Sequence, residues 1–289
     1  MTNNQEQMTN KTTETTLTGG TIEYEDFSCE IGVLGPMLYT LCQDHWQEVQ
    51  IGHVVQGSVL ELSFLEPPKI FVLYDGYLTV ATEAWHLHLC VEEHLGGPHC
   101  KTPPELRKQR LVTRGALYRR LNRQGKPTSW GIQFWNGDGE KMMTFFLPNP
   151  YLGEDEDLLP EGKPQWKKLG LYETLREIYV LGNQPIPFPE NPLKRPYLAV
   201  CRSSRCNPSR NWQPTYDALK AATEEAGLDI PVQTAGCLEV CQQGPVVFYS
   251  GDRSWYVQAK PELAKRIVNE HIIAETPISE YLYPQNSNQ

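Results

Sequence analysis

The sequence predicts two unlike domains: an N-terminal α+β domain built on an antiparallel sheet, and a smaller C-terminal α/β domain. Three observations carry this. The stretch Gln184–Pro196 holds Pro185, Pro187, Pro189, Pro192 and Pro196, a density that blocks helix and sheet ladder alike and favours a stiff connector. Ahead of it, apolar runs of period two meet at tight-turn signals, the mark of antiparallel hairpins. Beyond it, strand, helix and strand follow one another, the order of a parallel crossover.

The elements follow in chain order. Residues 1–20 are polar, rich in Thr and Asn, and are expected to form a disordered tail. Between Leu34 and Val49 the apolar residues recur at helical spacing. Ile70–Tyr74 and Tyr77–Val80 flank Asp75-Gly76, a hairpin turn in which glycine tolerates the positive φ required. Pro104–Leu121 is expected to be a helix whose basic face carries Arg107, Lys108, Arg110, Arg114, Arg119 and Arg120. Such a run is read first as a solvated face, and second as a clamp in which Tyr118, Arg119 and Arg120 hold a carboxylate or phosphate. Strands are predicted at Ser129–Trp135 and Lys141–Leu147, joined through Asn136-Gly137-Asp138-Gly139. The acidic run Gly153–Asp157 reads as a solvated loop, and Trp166–Tyr179 as a closing helix. This domain is placed at residues 21–183, with 184–196 as linker.

The C-terminal domain is placed at residues 197–275, with 276–289 as a tail. Strand Tyr197–Val200 runs into Cys201, a helix opens at Pro214 and ends at Gly227, and strand Ile230–Thr234 leads to Cys237. A hairpin of Val246–Tyr249 and Ser254–Val257 and a helix from Pro261 complete a β-α-β then β-β-α order, that of a thioredoxin-like layer. Each pair of C-terminal cysteines falls where a parallel strand ends, which is where open α/β sheets hold ligands.

Composition narrows the function classes. The net charge is −9 with a pI near 5.3, which argues against nucleic acid or an anionic membrane surface as main partner. No window reaches the run of about 18 apolar residues that a membrane helix needs, so membrane insertion is not expected. The N-terminus has neither the apolar core of a secretory signal nor the Arg-rich character of a transit peptide, so a cytoplasmic location is expected. Eight cysteines in such a chain point to reduced thiols and cofactor chemistry over a disulfide framework.

Cys201, Cys206, Cys237 and Cys241 form two close pairs, C-x4-C and C-x3-C, thirty residues apart. Soft thiolates suit iron–sulfur clusters, and four satisfy either a [2Fe–2S] or a [4Fe–4S] core. Zinc, a disulfide or free thiols are the alternatives, although neither pair has the C-x2-C spacing usual in a zinc knuckle. Arg202, Ser203, Ser204 and Arg205 lie inside the first loop, where backbone N–H groups and hydroxyls can bond sulfur and the arginines can offset negative charge.

With Cys237-Leu238-Glu239-Val240-Cys241 followed by Gly244-Pro245-Val246-Val247, then Trp255-Tyr256-Val257, Pro261-Glu262 and Asn269-Glu270-His271, the C-terminal region resembles the thioredoxin-like [2Fe–2S] ferredoxins. The likeness spans about residues 196–273. It implies that all four cysteines ligate one [2Fe–2S] cluster near the surface. The N-terminal half resembles an uncharacterised domain that accompanies such ferredoxins in cyanobacterial proteins, and that resemblance assigns it no activity. No GxGxxG opens a helix after a strand, so no flavin or nicotinamide site is expected.

A second constellation lies at Trp85-His86-Leu87-His88-Leu89-Cys90, where strand period puts His86, His88 and Cys90 on one face. His94, His99 and Cys100 follow closely. Imidazole and thiolate together suit zinc, iron, copper or haem, while a strand histidine is also a common hydrogen-bonded structural residue. Cys29 and Cys42 read as small buried hydrophobes.

The leading expectation is a soluble iron–sulfur protein that carries single electrons, whose partners are redox proteins (a reductase or an electron acceptor). A redox enzyme would instead feed electrons to a metal or substrate at His86 and His88. A regulatory protein would bind a partner differently in each redox or iron state.

Overall fold

The structure is a computed structural model and describes residues 11–55, 57–98, 100–154, 156–204, 211–240 and 243–284. It divides into two compact units. The first comprises the chain up to His94 together with Pro104–Leu193, the second Leu95–Pro103 together with the chain from Lys194 onward. Both mix helix with sheet, and all sheet pairing in the first unit is antiparallel. Among the described residues no helix is long and apolar enough to cross a membrane.

The first unit contains β1 (Lys11–Thr15), β2 (Thr21–Phe27), β3 (Gln50–Gly52), β4 (Val54–Val55), β5 (Ser58–Val59) and β6 (Leu62–Ser63). There follow β7 (Ile70–Tyr74), β8 (Tyr77–Ala81), β9 (His86–Cys90), β10 (Arg114–Leu121), β11 (Pro127–Trp135) and β12 (Lys141–Phe146). Its helices are α1 (Ile31–Tyr39), which runs on through a wider turn over Thr40–Asp44, α2 (Pro104–Arg110) and α3 (Gly170–Leu175), which continues over Arg176–Val180. The main sheet has the order β1-β2-β10-β11-β12-β3-β6, and β7-β8-β9 form a separate three-stranded meander. One core joins them: Leu34, Met37, Leu38 and Leu41 of the α1 helix pack with Leu117, Ile132, Phe134 and Phe145 of the sheet and Leu78 and Val80 of the meander.

Asp75 and Gly76, at φ +43° and +81°, make the β7–β8 turn that their residue types call for. The helix expected over Pro104–Leu121 stops at Arg110, and residues 114–121 are β10, the strand between β2 and β11. Burial overrides local propensity there: Ala116 and Leu117 are fully buried, and a Cβ on Gly115 would meet the Phe27 ring at 2.5 Å. Arg114, Arg119 and Arg120 are thereby placed along the sheet, while Arg107 and Arg110 stay on α2. Arg114 bonds Asp26 at 2.9 Å and its guanidinium lies 4.2 Å from the Trp135 ring centre, while Arg119 pairs with Glu23. With Tyr118 buried and Arg119 paired, the expected anion clamp does not form.

Part of the expected disordered tail and the expected stiff linker are both packed against the first unit. Residues 11–15 form the edge strand β1, where Glu14 accepts from Tyr24 at 2.9 Å and from Lys141 at 3.1 Å. The proline-dense stretch also packs: Phe188 meets Tyr39 edge-on, Leu193 is buried, and Asn191 Nδ2 donates to the Ile31 carbonyl at 2.7 Å. Apolar residues between the prolines give that stretch a surface to bury, so it is not a bare spacer.

Arg176 clamps the α3 helix to the sheet, donating from Nε and Nη2 to both Glu25 carboxylate oxygens at 2.6 and 2.7 Å. Those bonds hold the Glu25 carboxyl below its ordinary range, against the opposing pull of burial.

The second unit contains β13 (Leu198–Cys201), α4 (Gln213–Glu225), β14 (Val232–Ala235), β15 (Val247–Tyr249), β16 (Ser254–Tyr256) and α5 (Pro261–Arg266), which continues over Ile267–Ile273. The sheet order is β14-β13-β15-β16, with β13 and β14 parallel and the other pairs antiparallel. Leu198, Val200, Leu219, Val247, Leu263 and Ile267 form the core between the sheet and the two helices. Pro214 lies in the first turn of α4, and Gly227 follows its end at φ +62°.

Chain beyond residue 275, expected as a tail, completes this unit. Ile278 is buried, and Tyr283 donates its N–H to the Trp255 carbonyl at 2.8 Å. His271, 6% exposed, lies with Nδ1 2.8 Å from the Tyr256 hydroxyl and Nε2 3.0 Å from Asp252. The same hydroxyl accepts the Ile278 N–H at 3.1 Å.

His271→Ala should lower unfolding free energy by about 2 kcal/mol, because the buried Tyr256 hydroxyl loses its acceptor; chemical denaturation checks this. The Glu25–Arg176 bond should give the first unit an acid limb. A carboxyl whose folded pKa is depressed contributes fully above its unfolded value of about 4.3 and loses that contribution as pH falls through the lowered value. Denaturation curves from pH 7 to pH 2 should show that limb, and Glu25→Gln should flatten it.

Candidate functional site

Parallel pairing aligns Leu198 with Val232 and Cys201 with Ala235. Cys201 therefore ends β13 beside the end of β14, and Cys237 follows two residues later at the same edge of the sheet. Cys201 is 1% exposed, its Sγ lying 4.0 Å from the Gly236 carbonyl oxygen, while Cys237 is exposed. The backbone turns sharply after Cys237: Glu239 has φ +62°, and its N–H donates to Cys237 Sγ at 3.4 Å. Leu238 and Val240, on either side, are buried and fix this loop to the unit. Cys206, Cys241 and Arg205 lie outside the described residues.

Sequence reasoning missed a further component of this edge. Leu95–Pro103, which precedes α2 in the chain, belongs to the second unit. It closes on itself through a Gly96–Lys101 bridge and a Thr102 N–H bond to the Leu95 carbonyl at 3.0 Å. Gly97 then sits against Glu239 so closely that a Cβ there would lie 2.1 Å from Oε2 and 2.9 Å from the Glu239 Cβ. The carboxylate end can swing aside, but the Cβ is tied to the backbone. The Gly96-Gly97 pair was the available signal, since adjacent glycines mark close backbone approach. Cys100 is exposed on this segment, and His99 lies outside the described residues.

The expected strand face at β9 is only partly realised. His86 and His88 are exposed with ring centres 5.3 Å apart, and His88 Nδ1 lies 2.9 Å from the Thr79 hydroxyl. Partial burial, and secondarily His86, lower the His88 pKa. Cys90 shares the face but is 1% exposed, its thiol donating to the Glu92 carbonyl at 3.3 Å. Burial pushes that thiol up to about 11. His94 turns to Asp75 at 3.2 Å and packs edge-on against Tyr77. No group of three or more His, Cys, Asp or Glu residues placed to hold a metal occurs among the described residues, so His86, His88 and Cys90 do not form a three-ligand centre. Cys42 is fully buried with its thiol pKa raised by burial, and burial raises Cys29 to about 11.

The first unit also has a cleft of about 440 Å³ lined by Trp130, Trp166, Tyr172, Arg119, Arg176 and Glu25. Its guanidinium groups are engaged by Glu23 and Glu25, so the lining is internally neutralised.

Gly97→Ala should destabilise the second unit by about 1–3 kcal/mol, the usual cost of forcing atoms into a packed contact. Changing Glu239 to Gly in the same chain should recover most of that loss, since it removes the opposing Cβ and relieves the positive φ. Thermal unfolding of the single and double variants measures both effects.

The chain has partial likenesses among known proteins. A 2Fe–2S ferredoxin of Aquifex aeolicus (strain VF5) is 38% identical over 47 residues, 16% of this chain. The chain thereby spans 42% of that relative's length. The crystal structure of the wild-type thioredoxin-like [2Fe–2S] ferredoxin from Aquifex aeolicus aligns at 25% identity and TM-score 0.29, over 31% of this chain and 97% of that one. ChuX aligns at 20% identity and TM-score 0.35, over 54% of this chain and 76% of its own. ChuS, an E. coli heme oxygenase, aligns at 14% and 0.33, over 53% and 36%. Residues 11–181 match a family model, and through them the chain belongs to a family of unknown function, DUF7676.

Proposed function

We propose that Cys201, Cys206, Cys237 and Cys241 hold a [2Fe–2S] cluster and that the protein is a one-electron carrier. The observation that carries this reading is the parallel β13–β14 pairing, which brings Cys201 and Cys237 to one sheet edge although they are far apart in sequence. The local identity to a 2Fe–2S ferredoxin supports it. The donor set fits the group: Cys201 ends β13 and Cys237 follows the neighbouring β14 by two residues, and their soft sulfurs are the ligands such a cluster takes. A cluster of this kind, when bound, takes up and returns a single electron.

The chain's own groups suit that task. The Glu239 N–H bond to Cys237 Sγ stabilises negative charge on that sulfur, one of the means by which a protein sets a cluster's potential. Burial keeps water from Cys201, while the exposure of Cys237 leaves one side of the site open to a partner. In this reading the partners are redox proteins, a reductase or an acceptor. The first unit serves to select among them.

Anaerobic purification with iron and sulfide analysis tests the proposal. About two irons and two sulfides per chain, with a rhombic S = 1/2 signal after dithionite, are expected. Cys201→Ser and Cys237→Ser should each lower cluster content or shift the spectrum. About four irons and four sulfides would replace [2Fe–2S] with [4Fe–4S]. Colourless protein holding zinc, or no metal, would overturn electron transfer.

A further inference from the structure

The outer face of the meander is a flat surface whose composition is set by register. Antiparallel pairing aligns Ile70 with Ala81 and His86, and Val72 with Thr79 and His88, in rows across β7, β8 and β9. The alternate residues, among them Leu78, Val80 and Leu89, go into the core. The face thus has Ile70, Val72 and Ala81, all half-buried, as an apolar floor. His86 and His88 stand exposed along one margin, ring centres 5.3 Å apart. The Thr79 hydroxyl is 2.9 Å from His88 Nδ1. A ring nitrogen that gives its proton to such an acceptor leaves Nε2 with its lone pair outward, the arrangement that orients metal-bound imidazoles.

We propose that His86 and His88 are the protein ligands of a metal centre on this face, one of intermediate softness that keeps open coordination positions. Two imidazoles at i and i+2 of a strand project to the same side, so both reach one metal ion. Cys90 takes no part, because its thiol is buried against the Glu92 carbonyl. The chemistry is imidazole ligation, and the metal arrives as a hydrated divalent cation whose remaining positions stay open to water. Thr79 is a positioning residue that fixes the His88 ring. None of this depends on the four C-terminal cysteines.

Titration of the full chain with Ni²⁺, followed by calorimetry, tests the site. The wild type should bind one equivalent of Ni²⁺ on this face. His86→Ala and His88→Ala should each weaken it, and the double variant should abolish it. Thr79→Val should cost affinity by about tenfold, the usual effect of removing a hydrogen bond behind a metal ligand. Both histidines are exposed, so circular dichroism should show the variants folded; His88→Gln provides a second check with little change in bulk. Loss of one bound nickel in the double variant identifies the site. An unchanged nickel stoichiometry in the double variant, or no binding by the wild type, overturns the proposal.

Discussion

Parallel pairing of β13 with β14 is the constraint on which the candidate cysteine site rests. Two parallel strands cannot be joined by a tight turn, so the chain must cross over through α4 and re-enter the sheet from the same end. Both strands then finish at one end of the sheet, with Cys201 the last residue of β13 and Cys237 two residues beyond β14. The core of Leu198, Val200, Leu219 and Ile267 holds this geometry, because slipping either strand would turn buried side chains toward solvent.

The segment Leu95–Pro103 adds a second constraint at the same edge. It is part of the stretch that defines the DUF7676 family, yet it packs within the unit that carries the cysteines. Glycine at position 97 permits the approach to Glu239, and Glu239 in turn gives its N–H to Cys237. A short run of backbone contacts thus ties sequence from the family region to the loop that presents sulfur. The meander, by contrast, is organised by simple alternation: one face feeds the core of the first unit, the other displays two imidazoles over an apolar floor.

Legibility followed how local each signal was. The Asp75-Gly76 turn needs only residues that tolerate positive φ, and it forms where expected. The same holds for α4, framed by Pro214 and Gly227. Residues 114–121 were misread as helix because five arginines between 107 and 120 imitate an exposed face. In the fold Arg114 and Arg119 find carboxylates on the neighbouring strand β2, and Ala116 and Leu117 disappear into the sheet. Strand period correctly put Cys90 on the face of His86 and His88, but period reports direction and says nothing of what lies overhead.

By itself the sequence determined the two-part organisation of local elements, the tight turns, the β-α-β order and the paired spacing of cysteines, since each depends on backbone preferences or on neighbours a few residues away. Tertiary structure decided which residues of those motifs meet. It made a central strand of 114–121, ordered 11–15 and 276–283, buried Cys90, and brought Leu95–Pro103 beside Glu239. Each of these outcomes is a choice between burial partners distant in the chain, and the free energy that makes the choice comes from packed surface that no local stretch of sequence contains.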